Sequence, residues 1–86
     1  MFKKIKTKPW NMKLGEYLVE VRRVFNINGY NNIKIDKELI VLARRCKVPP
    51  VILVRCIWHN TNYKVKNPRF AQLVDIAHRN FEKKRG

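Results

Sequence analysis

Acid is what this chain has least of. Only 6 Asp and Glu stand against 20 Lys and Arg in 86 residues, a formal net charge of +14. That imbalance excludes a neutral surface and draws the chain toward polyanions: nucleic acid first, then an anionic membrane or an acidic protein. The competing reading is a soluble basic protein with no polyanionic partner. No apolar run approaches the roughly 20 residues needed to span a bilayer, so no membrane-spanning helix and no membrane partner are expected. The first ten residues are basic but lack the apolar stretch of a secretory signal. There are 2 cysteines, Cys46 and Cys56, which exclude a disulfide framework and suit a reducing compartment. A cytoplasmic protein is expected, nucleoid-associated if it binds DNA.

Chemistry is sparse as well. The 2 His and 6 acids lack any pairing that suggests a nucleophile, an acid–base dyad or a phosphate loop. Cys46, Cys56, His59 and His78 do not follow a zinc-finger spacing. Small buried thiols are the reading for the two cysteines, with a Cys46–Cys56 disulfide as the alternative. The chain is expected not to be an enzyme, and to hold no metal and no cofactor.

What is present supports one small domain. Hydrophobic residues make up 45% of the chain, enough for a globular fold, though 86 residues bury only a modest core. Neither an internal repeat nor a low-complexity block occurs. Residues 1–12 form a basic arm that includes Lys3, Lys4, Lys6 and Lys8, with Pro9 as a breaker, and residues 13–86 form the domain. The arm suits entry into a DNA minor groove; the alternative is a solvated tail.

Apolar spacing predicts four helices and an all-α fold. Leu14, Tyr17, Leu18, Val21, Val24 and Phe25 recur at three and four, one face of a helix ending near Phe25. Gly15 costs that helix a little and offers a place for close packing. Residues 26–32 hold four Asn and one Gly, which is turn chemistry. Ile33 and Ile35 alternate over too short a span for a strand. Asp36 caps a second helix carrying Leu39, Leu42, Ala43 and Cys46 and ending near Lys47. Pro49 and Pro50 break the apolar pattern there. Proline is disfavoured inside a helix and accepted in its first turn, so Pro50 opens a third helix that runs to about Asn60. Its buried side is expected at Leu53, Cys56 and Ile57. A polar, basic connector follows, with a brief extended piece at residues 63–66. Asn67 and Pro68 start a fourth helix with the stripe Phe70, Leu73, Val74, Ala77 and Phe81.

The second and third helices have the makings of a helix–turn–helix. Ala43 is small where two helices approach closely, and Leu42, Cys46, Val48, Leu53 and Cys56 supply apolar residues before, within and after the turn. At these residues the chain resembles the Cro/C1 repressor class of helix–turn–helix domains, the XRE family. The likeness extends to residues 13–23 as the first helix. It also takes in residues 68–77, with a proline, a leucine and an Ile-Ala pair after the recognition helix. It covers roughly residues 13–81. The resemblance implies a DNA-binding transcriptional or mobile-element regulator, often a homodimer on palindromic sites, with its third helix in the major groove.

The chain departs from that pattern in three places. Lys47 stands where the family's turn usually has glycine, a position that tends to need positive φ. The connection between first and second helices is longer by a turn-rich stretch of about ten residues. The base-reading slots hold Pro49, Pro50, Val51 and Val54, followed by Arg55, Trp58 and His59.

Arg55 suits a guanine, and Val51 or Val54 a thymine methyl. Backbone-directed binding has more support, from Arg44, Arg45, Lys47, Lys64, Lys66 and Arg69 around the motif. The alternative for Arg44, Arg45 and Lys47 is an ordinary charged helix face. Two other functions remain open. One is a structural RNA-binding subunit of a ribonucleoprotein. The other is a protein-binding adaptor using an exposed patch of Val51, Val54 and Trp58. Trp58 has the further alternative of packing on the connector or last helix.

Overall fold

Four helices and no strand make up the described part of the chain, residues 12–31 and 33–85 of a computed structural model. They are α1 (Leu14–Ile27), α2 (Lys37–Arg45), α3 (Pro50–His59) and α4 (Pro68–Arg85). The all-α expectation holds. Neither the Ile33–Ile35 alternation nor residues 63–66 pair as strands; Tyr63 and Lys64 form a turn. The expected arm lies almost wholly outside the described residues, and Lys3, Lys4, Lys6 and Lys8 with it.

Each helix turns its apolar stripe inward. α1 buries Tyr17, Val21 and Phe25, spaced four apart, and α2 buries Leu39, Ile40 and Ala43. α4 buries Phe70, Leu73, Val74, Ala77 and Phe81, the whole stripe read from the sequence. α1 and α4 each pack against both α2 and α3, so the two short helices are held between two longer ones. Burying side chains of this size stabilises by about 1.5–3 kcal/mol apiece. Beside that core, Phe25, Tyr30, Trp58 and Phe81 form a ring cluster with centroids 5.1–5.9 Å apart.

Local chemistry fixes where the helices begin. Glu16 Oε1 accepts from the Lys13 amide at 3.0 Å, and Asp36 Oδ1 accepts from the Glu38 amide at 2.8 Å. Asn67 Oδ1 accepts from the Phe70 amide at 3.0 Å, ahead of which Pro68 opens α4. Pro49 is extended (φ −61°, ψ 148°), and its carbonyl accepts from the Ile52 and Leu53 amides at 2.9 and 3.0 Å. The adjacent prolines therefore start α3 rather than break a longer helix.

Helix ends follow one pattern. After α1, Gly29 (φ 90°) donates to the Asn26 carbonyl and Tyr30 donates back to that of Phe25. After α2, Lys47 (φ 61°) donates to Arg44 and Val48 to Ala43. Both are Schellman closures, in which a left-handed residue lets the chain satisfy the last free carbonyls. α1 runs two residues past the expected Phe25, and α2 stops two short of Lys47, because these closures set the ends. Gly15 does not serve close packing: a Cβ placed there meets nothing within 4 Å.

Candidate nucleic-acid interface

Residues 46–49 join α2 to α3, and the junction is pinned from beneath. Val48 is buried, and its carbonyl accepts from the Tyr17 hydroxyl of α1 at 2.5 Å. Burial, then the neighbouring Cys56 and Cys46, raises the Tyr17 pKa well above its ordinary value, so the phenol stays a donor. Ala43 is fully buried where the sequence placed it. The turn is thus tied to α1 beneath whatever α3 presents outward.

α3 has a narrow outer face. Val51, Arg55 and His59 are exposed and four residues apart, one stripe along the helix. Exposed Lys47 and Pro49 precede it, and exposed Lys64 and Lys66 on the α3–α4 loop face that turn across a groove. Arg45 is exposed at the end of α2. The start of α3 adds the partial positive charge of a helix N-terminus to the lysines beside it.

Four of the expected contact residues have a place in the fold. Val54 is only 3% exposed and packs in the core, so it offers no methyl surface to a base. Its neighbour Leu53 shares that inner side because α3 is held by α1 and α4 together, which widens the buried arc beyond Leu53, Cys56 and Ile57. Trp58 is half-buried, edge-on to Tyr30 at 5.2 Å and tilted against Phe81 at 5.1 Å. Arg44 is half-buried, and its Nε donates to the Met12 carbonyl at 2.5 Å, tying the start of the domain to α2. Arg69 is exposed but forks onto Glu38 through Nε and Nη2 at 2.8 and 2.7 Å, linking α4 to α2. That pairing holds the Glu38 carboxyl below its usual range and raises Arg69 further, as hydrogen-bonded opposite charges do.

The four residues considered for zinc are not brought together as a ligand set. Cys46 and Cys56 are free thiols, Cys56 in the core, where burial pushes its pKa up and keeps it protonated. His78 Nδ1 lies 2.8 Å from the Ile57 carbonyl. Among the described residues no group of three or more His, Cys, Asp or Glu is placed to hold a metal. No helix there is long and apolar enough to cross a membrane.

One surface feature is not signalled by the apolar pattern of the sequence. A groove runs between the α2–α3 turn and the α3–α4 loop, lined in part by Lys47, Pro49, Ile52, Tyr63, Lys64 and Lys66. Tyr63 is 59% exposed and has a φ of 52°. The one signal that could have found it is an aromatic set among Asn62, Lys64 and Lys66, the interleaving of ring and charge found in nucleic-acid sites. The chain matches none of the protein families, curated proteins or solved structures with which it was compared.

Proposed function

We propose that this chain is a DNA-binding protein of helix–turn–helix type, a transcriptional or mobile-element regulator that lays α3 along the major groove. The observation that carries this reading is the outer stripe Val51–Arg55–His59, which follows a pinned turn carrying exposed Lys47, with exposed Lys64 and Lys66 across the groove from that turn. In this arrangement the lysines and Arg45 contact phosphates, and Arg55 is the one charged side chain aimed at base edges. Val51 adds apolar contact for a thymine methyl. So short a set of base contacts makes a modest sequence preference on top of a strong, salt-sensitive attraction to the backbone.

The adaptor reading draws on Val51, Val54 and Trp58 as one exposed apolar patch; they line one shallow hollow, but Val51 is exposed, Trp58 half-buried and Val54 buried, which leaves less apolar surface than that reading asks for. RNA remains the comparison that matters for a polyanion binder. Titrations with duplex DNA, scrambled duplex and structured RNA over a range of salt separate the two. The expected result is tighter binding to duplex DNA, falling steeply with salt. Equal or tighter binding to structured RNA defeats the proposal. Within the duplex series, Arg55→Ala is expected to flatten the preference among sequences by about 1–3 kcal/mol. Uniform weakening on every sequence assigns Arg55 to phosphate instead.

A further inference from the structure

We infer that the groove between the α2–α3 turn and the α3–α4 loop takes an unpaired nucleotide, its base stacked on Tyr63 and its phosphates held by lysines. This rests on the nucleic-acid reading above and goes beyond it, because a paired base inside a duplex has both faces already covered. A base must be unstacked from its neighbours before a side-chain ring can take one face.

Three independent features meet in this groove. The first is the ring itself. Tyr63 is the most exposed aromatic among the described residues, while Tyr17, Phe25, Phe70 and Phe81 are buried and Trp58 and Tyr30 pack together. The second is its backbone. Tyr63 adopts a left-handed conformation that bulky residues rarely hold, in a turn braced on both sides. Its amide donates to Thr61 Oγ1 at 3.1 Å, and Asn62 exchanges bonds with Val65, side-chain Nδ2 to carbonyl at 3.0 Å and carbonyl from amide at 2.9 Å. Such outliers persist where the surroundings over-determine them, and they gather at binding sites.

The third feature is charge around the ring. Lys64 Nζ lies over one face of Tyr63, 5.9 Å from its centroid, which leaves the other face for a base, and Lys47 and Lys66 line the same groove, with no acid in its lining. A nucleotide offers both a flat apolar face and an anionic group at that separation. Pro49 and Ile52 add an apolar wall. The groove is open to solvent and has a volume of about 460 Å³, within the range of sites that hold one small ligand.

The test compares a blunt DNA duplex with the same duplex bearing a single-stranded thymidine extension, using the full chain, Tyr63→Phe and Tyr63→Leu. A thymidine homo-oligonucleotide alone is the third probe. The extension is expected to tighten binding about tenfold for the unmodified chain and for Tyr63→Phe. In Tyr63→Leu that gain is expected to vanish while blunt-duplex affinity stays, which also shows that the variant is folded. The inference is overturned if the extension adds nothing, or if Tyr63→Leu keeps the full gain. Loss of the gain in Tyr63→Phe overturns it too, since the hydroxyl and not the ring face is then the contact. If no duplex binds, the DNA proposal fails, and the homo-oligonucleotide still decides the groove through the same two variants.

Discussion

Among the described residues three helices end on a left-handed residue, and the three residues differ. α1 ends on Gly29 (φ 90°), α3 on Asn60 (φ 53°) and α2 on Lys47 (φ 61°). Glycine adopts this conformation without steric cost, and asparagine tolerates it better than most. Lysine does not. The closure with the least suitable residue is the one that leads into α3, beside the proposed interface. On the proposed function, the contrast marks where the chain accepts local cost, because the third closure puts a cation beside the proposed interface. A left-handed residue with a Cβ costs roughly 1–2 kcal/mol, and the rest of the turn must hold it there.

The strongest challenge to that contrast is Tyr17→Phe, which removes the hydroxyl beneath the lysine closure. The Val48 carbonyl is then buried without its partner, and a loss of about 1–3 kcal/mol is expected in denaturant or thermal unfolding. A loss no larger than a surface change would mean that the turn holds its shape unaided. Gly29→Lys places at the first closure what the second already has. No atom obstructs a Cβ at Gly29, so the expected cost is conformational, about 1–2 kcal/mol, with nucleic-acid affinity unchanged.

Lys47→Gly runs the exchange in the other direction. Relief of about 1–2 kcal/mol of strain is partly offset by about 0.5–1 kcal/mol of added unfolded-state entropy. The net expectation is a protein no less stable, yet weaker for duplex DNA and with a shallower salt slope by about one ion. Unchanged affinity would make the lysine an accident of the turn. The smallest effect belongs to the exposed Glu38–Arg69 pair. The folded Glu38 carboxyl lies below its ordinary value, so its contribution is full above the unfolded pKa and fades as pH falls through the folded one. Glu38→Gln is expected to remove that acid-side dependence from the unfolding curve and to change little near neutral pH.

Periodicity carries most of the fold. The stripes of α1 and α4, the Asp36 and Asn67 caps and the role of the paired prolines are legible in the sequence because each depends on neighbours within a turn or two. The positive φ at Lys47 is legible too, from the place that it takes in the turn. The outer face is harder to read. Val54 reads as a surface residue because a single helix does not reveal how many others cover it, whereas the alternative reading of Trp58, packing on the last helix, is the one seen at Phe81. Arg69 and Arg44 look like phosphate contacts because their partners, Glu38 and the Met12 carbonyl, are more than thirty residues away. Tyr63 escapes notice for a different reason: an exposed ring in a loop has no periodic signal, and its groove exists only once the turn and loop meet.

The most direct test of the proposed interface is backbone-amide NMR of the full chain during titration with a duplex DNA. The shifted amides are expected to cluster at Lys47, along Val51, Arg55 and His59, and through Lys64 to Lys66, with the α1–α2 connection left unmoved. Shifts concentrated away from α3 and its flanking turns, with Lys47 and Arg55 silent at saturation, would contradict it.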